Sequence, residues 1–238
     1  MIFAAILAGG IGSRMHISDI PKQFLPLGDK PVIVHTLEKF IVSNCFDHIY
    51  LGVHPHWVSY AGDLIKKYVP DVTNVHVTPG GADRNSTIQN VISAIESDFG
   101  AAPEHIIVTH DAVRPFLSIR IIQDNVHAAQ EYGACDTVTP ATDTIVASKD
   151  GQVISQIPAR SEMYQGQTPQ SFKMELLKKL YSEIPAEELA TFTDACKLCV
   201  SRGIPVHLVQ GAVSNLKLTT VEDYRIAQAM LEKVHSSD

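Results

Sequence analysis

A glycine-rich segment with two cations close behind it follows the first apolar run of the chain. The segment reads ILAGGIGSRM from residue 6, and PKQFLPLGDKP continues from residue 21. Its glycines and the two cations are Gly9, Gly10, Gly12, Arg14 and Lys22. Glycines let backbone N–H groups approach phosphate oxygens, and the cations can neutralise the charge of those oxygens. These residue types at this spacing indicate a phosphate site.

Three kinds of glycine segment compete for this stretch. A Walker loop ends in Gly-Lys-Ser/Thr, which does not occur here. A dinucleotide fingerprint needs a third glycine where Met15 stands, and an acid after the second strand, where YLGVHPHW has none. A purely structural turn needs neither Arg14 nor Lys22, and their connection is longer than a tight strand-to-helix turn. The pattern therefore favours a phosphate loop of another type.

The elements that must position this site alternate between strand-like and helix-like runs. The predicted strands read IFAAIL, HIYLGV, NVHVT and HIIVTH, and the predicted helices include PVIVHTLEKFIV, residues 57–68, NSTIQNVISAI and IIQDNVHAAQEY. Thr220 and Asp223 are spaced as a capping pair that opens a last helix. This alternation predicts an α/β fold, with a mostly parallel Rossmann-like sheet covered by helices on both faces. Ligands of such sheets lie beyond the carboxyl ends of the strands, where the glycine segment and THDAVRPF both fall.

One segment interrupts the alternation. TDTIVASKDGQVISQIP has two short alternating runs around Asp-Gly, which is a strong hairpin signal. A two-stranded hairpin is barely stable alone in water, so it must pack on its own domain or on a second subunit. We therefore expect a protruding β-hairpin arm over residues 141–160 of a single domain that spans residues 1–238.

Composition excludes several classes of protein. The chain has 238 residues, 45% of them hydrophobic, and a formal net charge of −7 with no basic block, which argues against nucleic-acid binding. The first apolar run, MIFAAILA, has no Lys or Arg and is too short for a signal peptide or a membrane span. We expect a cytoplasmic protein without membrane insertion. The pair in CKLC at residues 196–199 could suggest zinc or redox chemistry, but its predicted helix favours two small core residues.

Several motifs in order along the chain resemble one family of enzymes. LAGGIGSRM and PKQFLPLGDKPV are similar to nucleotidyltransferases that join a nucleoside triphosphate to a phosphorylated small molecule. GGADRNST, HDAVRPF, QTPQSF, TDA and NLKLTT resemble the cytidylyltransferases that act on methylerythritol 4-phosphate or ribitol 5-phosphate, over essentially the whole chain. EMYQGQTPQSF and THDAVRPFL are most similar to the ribitol-5-phosphate enzymes of wall teichoic acid synthesis. The resemblance implies that CTP and a polyol phosphate give a CDP-polyol and pyrophosphate.

This reaction places few demands on acid–base chemistry. Its nucleophile is a phosphate oxygen that is already ionised near neutral pH, so catalysis rests on aligning two anions and stabilising their charge. His110 in THDA could be proposed as a base, but its position at a strand end favours a structural role. The resemblance implies that the catalytic residues are Arg14, Lys22 and Lys217, with Arg14 and Lys22 on the triphosphate.

The resemblance also implies the two binding sides. On the nucleotide side the matching residues are Ala8, Gly9, Gly10, Gly12, Gly81, Arg84, Thr87, Asp111 and Ala112. Asp111 matches the acid near the ribose and a Mg²⁺ ion, which as a hard cation suits carboxylate and phosphate oxygens. On the acceptor side the matching residues are Thr144, Arg160, Thr168 and Thr193. The family often has an acid where this chain has Ala82, which is a departure from its pattern.

The resemblance further implies a homodimer, because in the family the arm embraces a neighbouring subunit and completes its site. Three functions stay open at this point. The first two are cytidylyltransferases, one for ribitol 5-phosphate and one for methylerythritol 4-phosphate in isoprenoid synthesis. The third is a non-catalytic nucleotide sensor, which the presence of Arg14, Lys22, Asp111 and Lys217 argues against.

Overall fold

A computed structural model describes residues 1–10 and 20–235. The strands are β1 (Ile2–Ala8), β2 (Pro26–Leu27), β3 (Lys30–Pro31), β4 (His48–Val53), β5 (Val75–Pro79), β6 (Ile106–Asp111), β7 (Ala134–Pro140), β8 (Tyr164–Lys173) and β9 (His207–Gln210). The helices are α1 (Val32–Ser43), α2 (Val58–Tyr68), α3 (Arg84–Phe99), α4 (Ile119–Tyr132), α5 (Met174–Glu183), α6 (Ala186–Leu189), α7 (Cys196–Ser201) and α8 (Val221–His235). The predicted strands and helices occur close to their predicted bounds, whereas β7, β8 and β9 were not predicted.

Seven strands form one sheet in the order β5-β4-β1-β6-β8-β7-β9. Neighbouring strands are parallel except at β8, which runs antiparallel to both β6 and β7. The short strands β2 and β3 pair separately. The prediction of a mostly parallel sheet is confirmed, and it brings the ends of β1 and β6 side by side, with Leu7 in register with Asp111.

Helices cover both faces of the sheet, as the apolar strands predict. Along β1, Ala4 and Ile6 belong to one core and Phe3 and Ala5 to the other, because successive side chains of a strand point to opposite faces. Helices α1, α2 and α4 pack on the first face, and α3, α5 and α7 pack on the second. Full burial of a side chain such as Leu37 stabilises the fold by about 1.5–3 kcal/mol.

Two helices begin beside the carboxyl edge of the sheet through side-chain caps. At α3, Ser86 N–H donates to Asp83 Oδ1 over 2.7 Å, and Asp83 N–H donates to Ser86 Oγ over 3.0 Å. At α8, the predicted pair is present: Asp223 N–H donates to Thr220 Oγ1 over 3.1 Å, and Thr220 N–H donates to Asp223 Oδ2 over 2.8 Å. Each cap satisfies helix-start N–H groups that have no partner within the helix.

The predicted arm is an exposed excursion between β7 and β8. Its two expected strands are reduced to one antiparallel bridge, between Ala147 and Gln156. At its tip Asp150 Oδ1 accepts hydrogen bonds from two backbone N–H groups, and Gly151 has a positive φ of 74°. Most residues of the arm are exposed, and an exposed two-stranded ribbon gains little from extended pairing, which explains the short ladder.

The cysteines are all free, and the CKLC pair lies in the core. Cys196 and Cys199 are buried on α7, as the core interpretation of this pair predicts. Burial raises the pKa of the Cys199 thiol to about 11, which leaves it a thiol at neutral pH. Among the helices of the described residues, none combines the length and the apolar character that crossing a bilayer requires.

Candidate active site

A polar cleft opens where β1 and β6 end. It is bounded by the segment after β1, the short helical turn at Lys22–Phe24, the start of α3, the end of β6 and the segment before α8. The predicted site residues that line it are Ala8, Gly9, Gly10, Lys22, Arg84, Thr87, Asp111 and Lys217. A larger cavity of about 400 Å³ lies between α3 and α5, far from these residues along both elements, and its lining includes Glu96 and Lys178. Those two side chains pair with each other over 2.7 Å, so we assign the chemistry to the cleft at the strand ends.

Close backbone packing fixes the floor of the cleft. Gln23 Nε2 donates to the carbonyl oxygens of Ala8 and Gly10 over 2.8 and 2.9 Å, which holds the start of the glycine segment. A Cβ atom at Gly9 would lie only 2.9 Å from Thr87 Oγ1, so this position needs glycine. Gly12 and Arg14 lie outside the described residues.

Thr87 also ties down the segment before α3. Its Oγ1 accepts a hydrogen bond from Gly81 N–H over 3.0 Å and donates to the Asp83 carbonyl oxygen over 2.7 Å. A side chain at Gly81 would collide with Ser86, so glycine is required there too. Ala82 lines the cleft, so the position where the family often has an acid does face the site.

Three cations converge on Asp111 at the end of β6. Lys217 Nζ lies 2.9 Å from Asp111 Oδ2, Arg114 Nε lies 3.7 Å from the same oxygen, and Arg84 Nε lies 3.6 Å from Oδ1. Burial would raise the pKa of the Asp111 carboxyl, but the charges of Arg84, Lys217 and Arg114 outweigh burial and hold that pKa well below its usual range. Asp111 is therefore a carboxylate at any physiological pH.

Arg114 is a site residue that the sequence-based assignment missed. Its side chain is 10% exposed, and its guanidinium faces Asp111 and donates from Nη1 to the Asn215 carbonyl oxygen over 2.7 Å. The signal was available, because Arg114 stands three residues after Asp111 in HDAVRPF. This arginine joins the end of β6 to the segment that holds Lys217.

His110 has a structural role. It is fully buried, with Nδ1 2.9 Å from Thr168 Oγ1 and Nε2 3.3 Å from the Arg114 carbonyl oxygen. Thr168 Oγ1 also accepts a hydrogen bond from Asp111 N–H over 3.1 Å. Burial lowers the pKa of His110 to about 3, so the ring is neutral and its contacts assign the proton to Nε2. Thr168 thus holds the backbone of Asp111 in place through this hydrogen bond.

A second polar group lies on the other side of Arg84. Arg84 Nη2 donates to Gln170 Oε1 over 3.0 Å, and Gln170 Nε2 donates to Asp136 Oδ1 over 3.1 Å and to Asp194 Oδ2 over 2.6 Å. Burial, together with the charge of Asp194, raises the pKa of Asp136 to about 7. This group was not assigned from the sequence, although Gln170 and Asp194 stand in the motifs QTPQSF and TDA, because its members lie far apart along the chain.

Two sets of residues bear on metal binding. Within residues 1–10 and 20–235, one group of three potential ligands lies close together, namely Asp136, Asp194 and Cys196. Its two carboxylates already accept hydrogen bonds from Gln170, which identifies it as a hydrogen-bonded cluster. In the cleft, Asp111 offers a single carboxylate faced by three cations. That donor set fits Mg²⁺ only as an ion whose other ligands come from substrate phosphates and water.

The remaining predicted residues lie in different surroundings. Thr193 is exposed and directly precedes Asp194, and Thr144 and Arg160 lie on the exposed arm. Among the described residues that line the cleft, neither arm residue occurs. Ala112 is buried, its N–H donates to the Leu7 carbonyl oxygen, and its own carbonyl oxygen accepts from Thr36 Oγ1.

A cation-lined cleft at the carboxyl edge of a mostly parallel sheet is typical of α/β proteins that bind phosphorylated ligands. The sequence model for 2-C-methyl-D-erythritol 4-phosphate cytidylyltransferases matches residues 2–233, and the chain belongs to this family.

Named relatives agree with this membership. A ribitol-5-phosphate cytidylyltransferase of Streptococcus pneumoniae serotype 2 (strain D39 / NCTC 7466) is 52% identical over 234 residues, which cover 98% of this chain and 100% of the relative. A crystal structure of 4-diphosphocytidyl-2C-methyl-D-erythritol synthase from Anaerococcus prevotii DSM 20548 superposes with a TM-score of 0.80 at 27% identity, covering 97% of this chain and 98% of that one. The 2-C-methyl-D-erythritol 4-phosphate cytidylyltransferase of Thermus thermophilus gives a TM-score of 0.73 at 25% identity, covering 98% and 100%.

Proposed function

We propose that the protein transfers CMP from CTP to ribitol 5-phosphate, giving CDP-ribitol and pyrophosphate. The observation that carries the proposal is the convergence of Lys217, Arg84 and Arg114 around Asp111 in a cleft that Lys22 also lines. Two phosphorylated substrates need such a concentration of positive charge before they can approach each other. The choice of acceptor follows the relative that is 52% identical over nearly the whole chain.

The chemistry requires no proton acceptor from the protein. An oxygen of the acceptor phosphate attacks the α-phosphorus of CTP, a new P–O bond forms, and the bond to the β-phosphate oxygen breaks to release pyrophosphate. His110 is neutral, buried and hydrogen-bonded at both nitrogens, which supports a reaction without a histidine base. The cations lower the barrier by stabilising charge on the phosphorus-bound and leaving oxygens.

The predicted residues divide between the two substrates. Lys22, which lines the cleft, and Arg14 are assigned to the triphosphate by the resemblance, and Lys217 is assigned to the acceptor side. The backbone from Ala8 to Gly10 and the start of α3 at Arg84 and Thr87 hold the nucleotide. Thr193 is assigned to the acceptor side, whereas Thr168, predicted for the same role, has a buried hydroxyl bonded to Asp111 and His110 and therefore acts through Asp111.

Magnesium enters the proposal as part of the substrate MgCTP. Asp111 is the residue that would hold the ion, with phosphate oxygens and water as further ligands. The ion would neutralise phosphate charge that the cations of the cleft do not offset. Lys217, which lies 2.9 Å from Asp111, must then share that carboxylate with the ion.

The arm supplies an argument for a homodimer. Its exposed apolar residues are Val146, Val153, Ile154 and Ile157. Exposed apolar side chains grouped on one excursion are typical of a surface that another chain covers. We propose that the arm packs on a second copy, so that Thr144 and Arg160 reach the acceptor phosphate of the partner.

The proposed product indicates the pathway and the cellular compartment in which the protein acts. An activated ribitol is a building unit for wall teichoic acid, and the four free cysteines suit a reducing cytoplasm. A second acceptor, methylerythritol 4-phosphate, is favoured by the family model and by the solved structures named for that substrate.

Incubation of the full chain with MgCTP and each acceptor in turn, with pyrophosphate as the readout, tests the proposal. We expect pyrophosphate release with ribitol 5-phosphate at a higher kcat/KM than with methylerythritol 4-phosphate. The opposite preference would assign the protein to the second acceptor. CTP binding without pyrophosphate release in either mixture would identify a nucleotide sensor instead.

A further inference from the structure

Gln170 is a buried hub beside the cleft. It lies within β8, is fully buried, and uses both ends of its side-chain amide. The oxygen accepts from Arg84 over 3.0 Å, and the nitrogen donates to Asp136 over 3.1 Å and to Asp194 over 2.6 Å. A buried amide with all these bonds holds its partners in one arrangement, because any movement would leave a buried polar group unpaired.

The three partners come from three separate parts of the fold. Arg84 is the first residue of α3 and lines the cleft on the nucleotide side. Asp136 lies on β7, at a point where the register with β8 shifts. Asp194 directly follows Thr193, and its other oxygen accepts from Cys196 N–H over 2.8 Å at the start of α7. Gln170 therefore links the nucleotide side to the segment predicted to meet the acceptor.

The hydrogen bond that Arg84 donates to Gln170 also sets the orientation of the Arg84 guanidinium. The contact between Arg84 Nε and Asp111 is a longer ion pair of 3.6 Å, which limits distance more than orientation. The hydrogen bond from Nη2 to Gln170 fixes the rotation of the planar guanidinium. A guanidinium that is fixed in this way can meet a phosphate without first losing rotational freedom.

We propose that Gln170 is a positioning residue that orients Arg84 for the nucleotide and holds the Thr193–Asp194 segment at a set distance from it. This inference rests on the proposed function for the roles of Arg84 and Thr193. Glutamate cannot replace the amide, because it has no hydrogens for the carboxylates of Asp136 and Asp194 and adds a third negative charge. Leucine fills a similar volume but leaves Arg84 without its partner.

A double-mutant cycle on CTP affinity tests the step through Arg84. Calorimetric titration with CTP is performed on the full chain, on Gln170→Leu, which removes the acceptor of the Arg84 hydrogen bond, on Arg84→Ala and on the double variant. We expect each single change to weaken binding about tenfold, and the double variant to be no weaker than Arg84→Ala, because both changes remove one interaction. Additive losses, about a hundredfold in the double variant, would overturn the proposal.

A rescue variant separates positioning from general damage to the fold. In Gln170→Glu combined with Asp136→Asn and Asp194→Asn, both asparagine amides donate to the glutamate, so the two hydrogen bonds return with donor and acceptor exchanged. We expect CTP affinity to return to within about threefold of the unsubstituted protein, whereas Gln130→Glu, an exposed matched change on α4, leaves it unaltered. Rescue of the thermal midpoint without rescue of affinity would contradict the inference.

Turnover adds a second readout that distinguishes the two proposals. With ribitol 5-phosphate as acceptor, we expect Gln170→Glu to lower kcat by about a hundredfold, because the substrates lose their alignment. We also expect the KM for the acceptor to rise. If the unsubstituted protein binds CTP but turns over neither acceptor, the proposed function fails, and the affinity cycle alone still decides the role of Gln170.

Discussion

Replacing Asp111 with asparagine removes the one negative charge that three cations share, with almost no change in shape. The most buried of the three pairs is with Arg114, since both side chains are about nine-tenths buried. Removing one partner of a buried pair leaves an uncompensated charge, and such changes destabilise proteins by about 3–5 kcal/mol. Lys217 is 44% exposed, so its own contribution is small. We therefore expect a loss of about 3 kcal/mol for Asp111→Asn.

Thermal unfolding measures this loss. For a chain of this size about 3 kcal/mol corresponds to a midpoint lower by about 6–12 °C. The pKa of Asp111 is lowered in the folded state, so its contribution is present above the unfolded value of 3.8 and disappears only as pH falls through the lower folded value. The difference between the variant and the unsubstituted protein should therefore be constant from about pH 5 to pH 8.

The matched control is Asp124→Asn, which breaks an exposed pair with Arg120 on α4. Such a pair contributes at most about 0.5 kcal/mol, so the control should melt within about 2 °C of the unsubstituted protein. Equal midpoints for Asp111→Asn and the control would refute the inference that Asp111 anchors the cations of the cleft. A loss of stability that vanished at pH 8 would refute the sign of its pKa shift.

Four further results are expected. Pyrophosphate release stops in EDTA and returns with added Mg²⁺, because a triphosphate carries about four negative charges; undiminished turnover in EDTA would remove the metal from the proposal. Lys22→Ala lowers kcat for pyrophosphate release by about a hundredfold with little change in the thermal midpoint. The control Lys39→Ala, at an exposed position of α1, changes neither quantity. If the Lys22 variant unfolds instead, this lysine has a structural role. Inactive Arg160→Ala and Lys22→Ala chains regain partial activity when they are mixed and exchange subunits, since one site of a mixed dimer holds both residues; no recovery despite demonstrated exchange would exclude a shared site. Asp136→Asn stabilises the fold by about 4 kcal/mol at pH 8 and by little near pH 4, because the pKa of Asp136 is about 7 in the folded protein and 3.8 in the unfolded chain, so the unsubstituted protein loses stability as the pH rises through that interval. A pH-independent difference measured by urea unfolding would contradict this.

The local pattern of apolar residues was enough to predict the strands and helices in the half of the sheet that contains β1 and the glycine segment. The first four long strands alternate with helices whose apolar stripes are clear, and continuous apolar runs such as HIYLGV predict the strands within a residue or two. The caps at Thr220 and Asp223 follow from side-chain chemistry over three residues, so they too were visible.

Strand β8 could not be predicted in the same way. Its sequence, YQGQTPQSFK, contains glycine, proline and several polar residues, which are poor strand formers. It is extended because β6 and β7 pair with it on both sides, which is information from the tertiary structure. The arm shows the opposite error, since alternating residues around Asp-Gly predicted two strands where the described residues form a single bridge.

The same division holds for the candidate site. Residues within motifs, such as Lys22, Asp111 and Lys217, were assigned from their segments, and the structure brings them to one cleft. The cluster around Gln170 joins positions that are up to 110 residues apart, from 84 to 194, so no local spacing could reveal it. Electrostatic coupling between such distant positions appears only once the strands are paired.

The transfer itself is tested most directly with CTP labelled at one phosphorus at a time. The full chain is incubated with ribitol 5-phosphate, Mg²⁺ and CTP carrying ³²P at either the α or the γ position, and the products are separated. We expect the α label in CDP-ribitol and the γ label in pyrophosphate, because the acceptor attacks the α-phosphorus and the two outer phosphates leave together. An α label that ends in CMP, or a γ label that ends on the polyol or in inorganic phosphate, would contradict cytidylyl transfer.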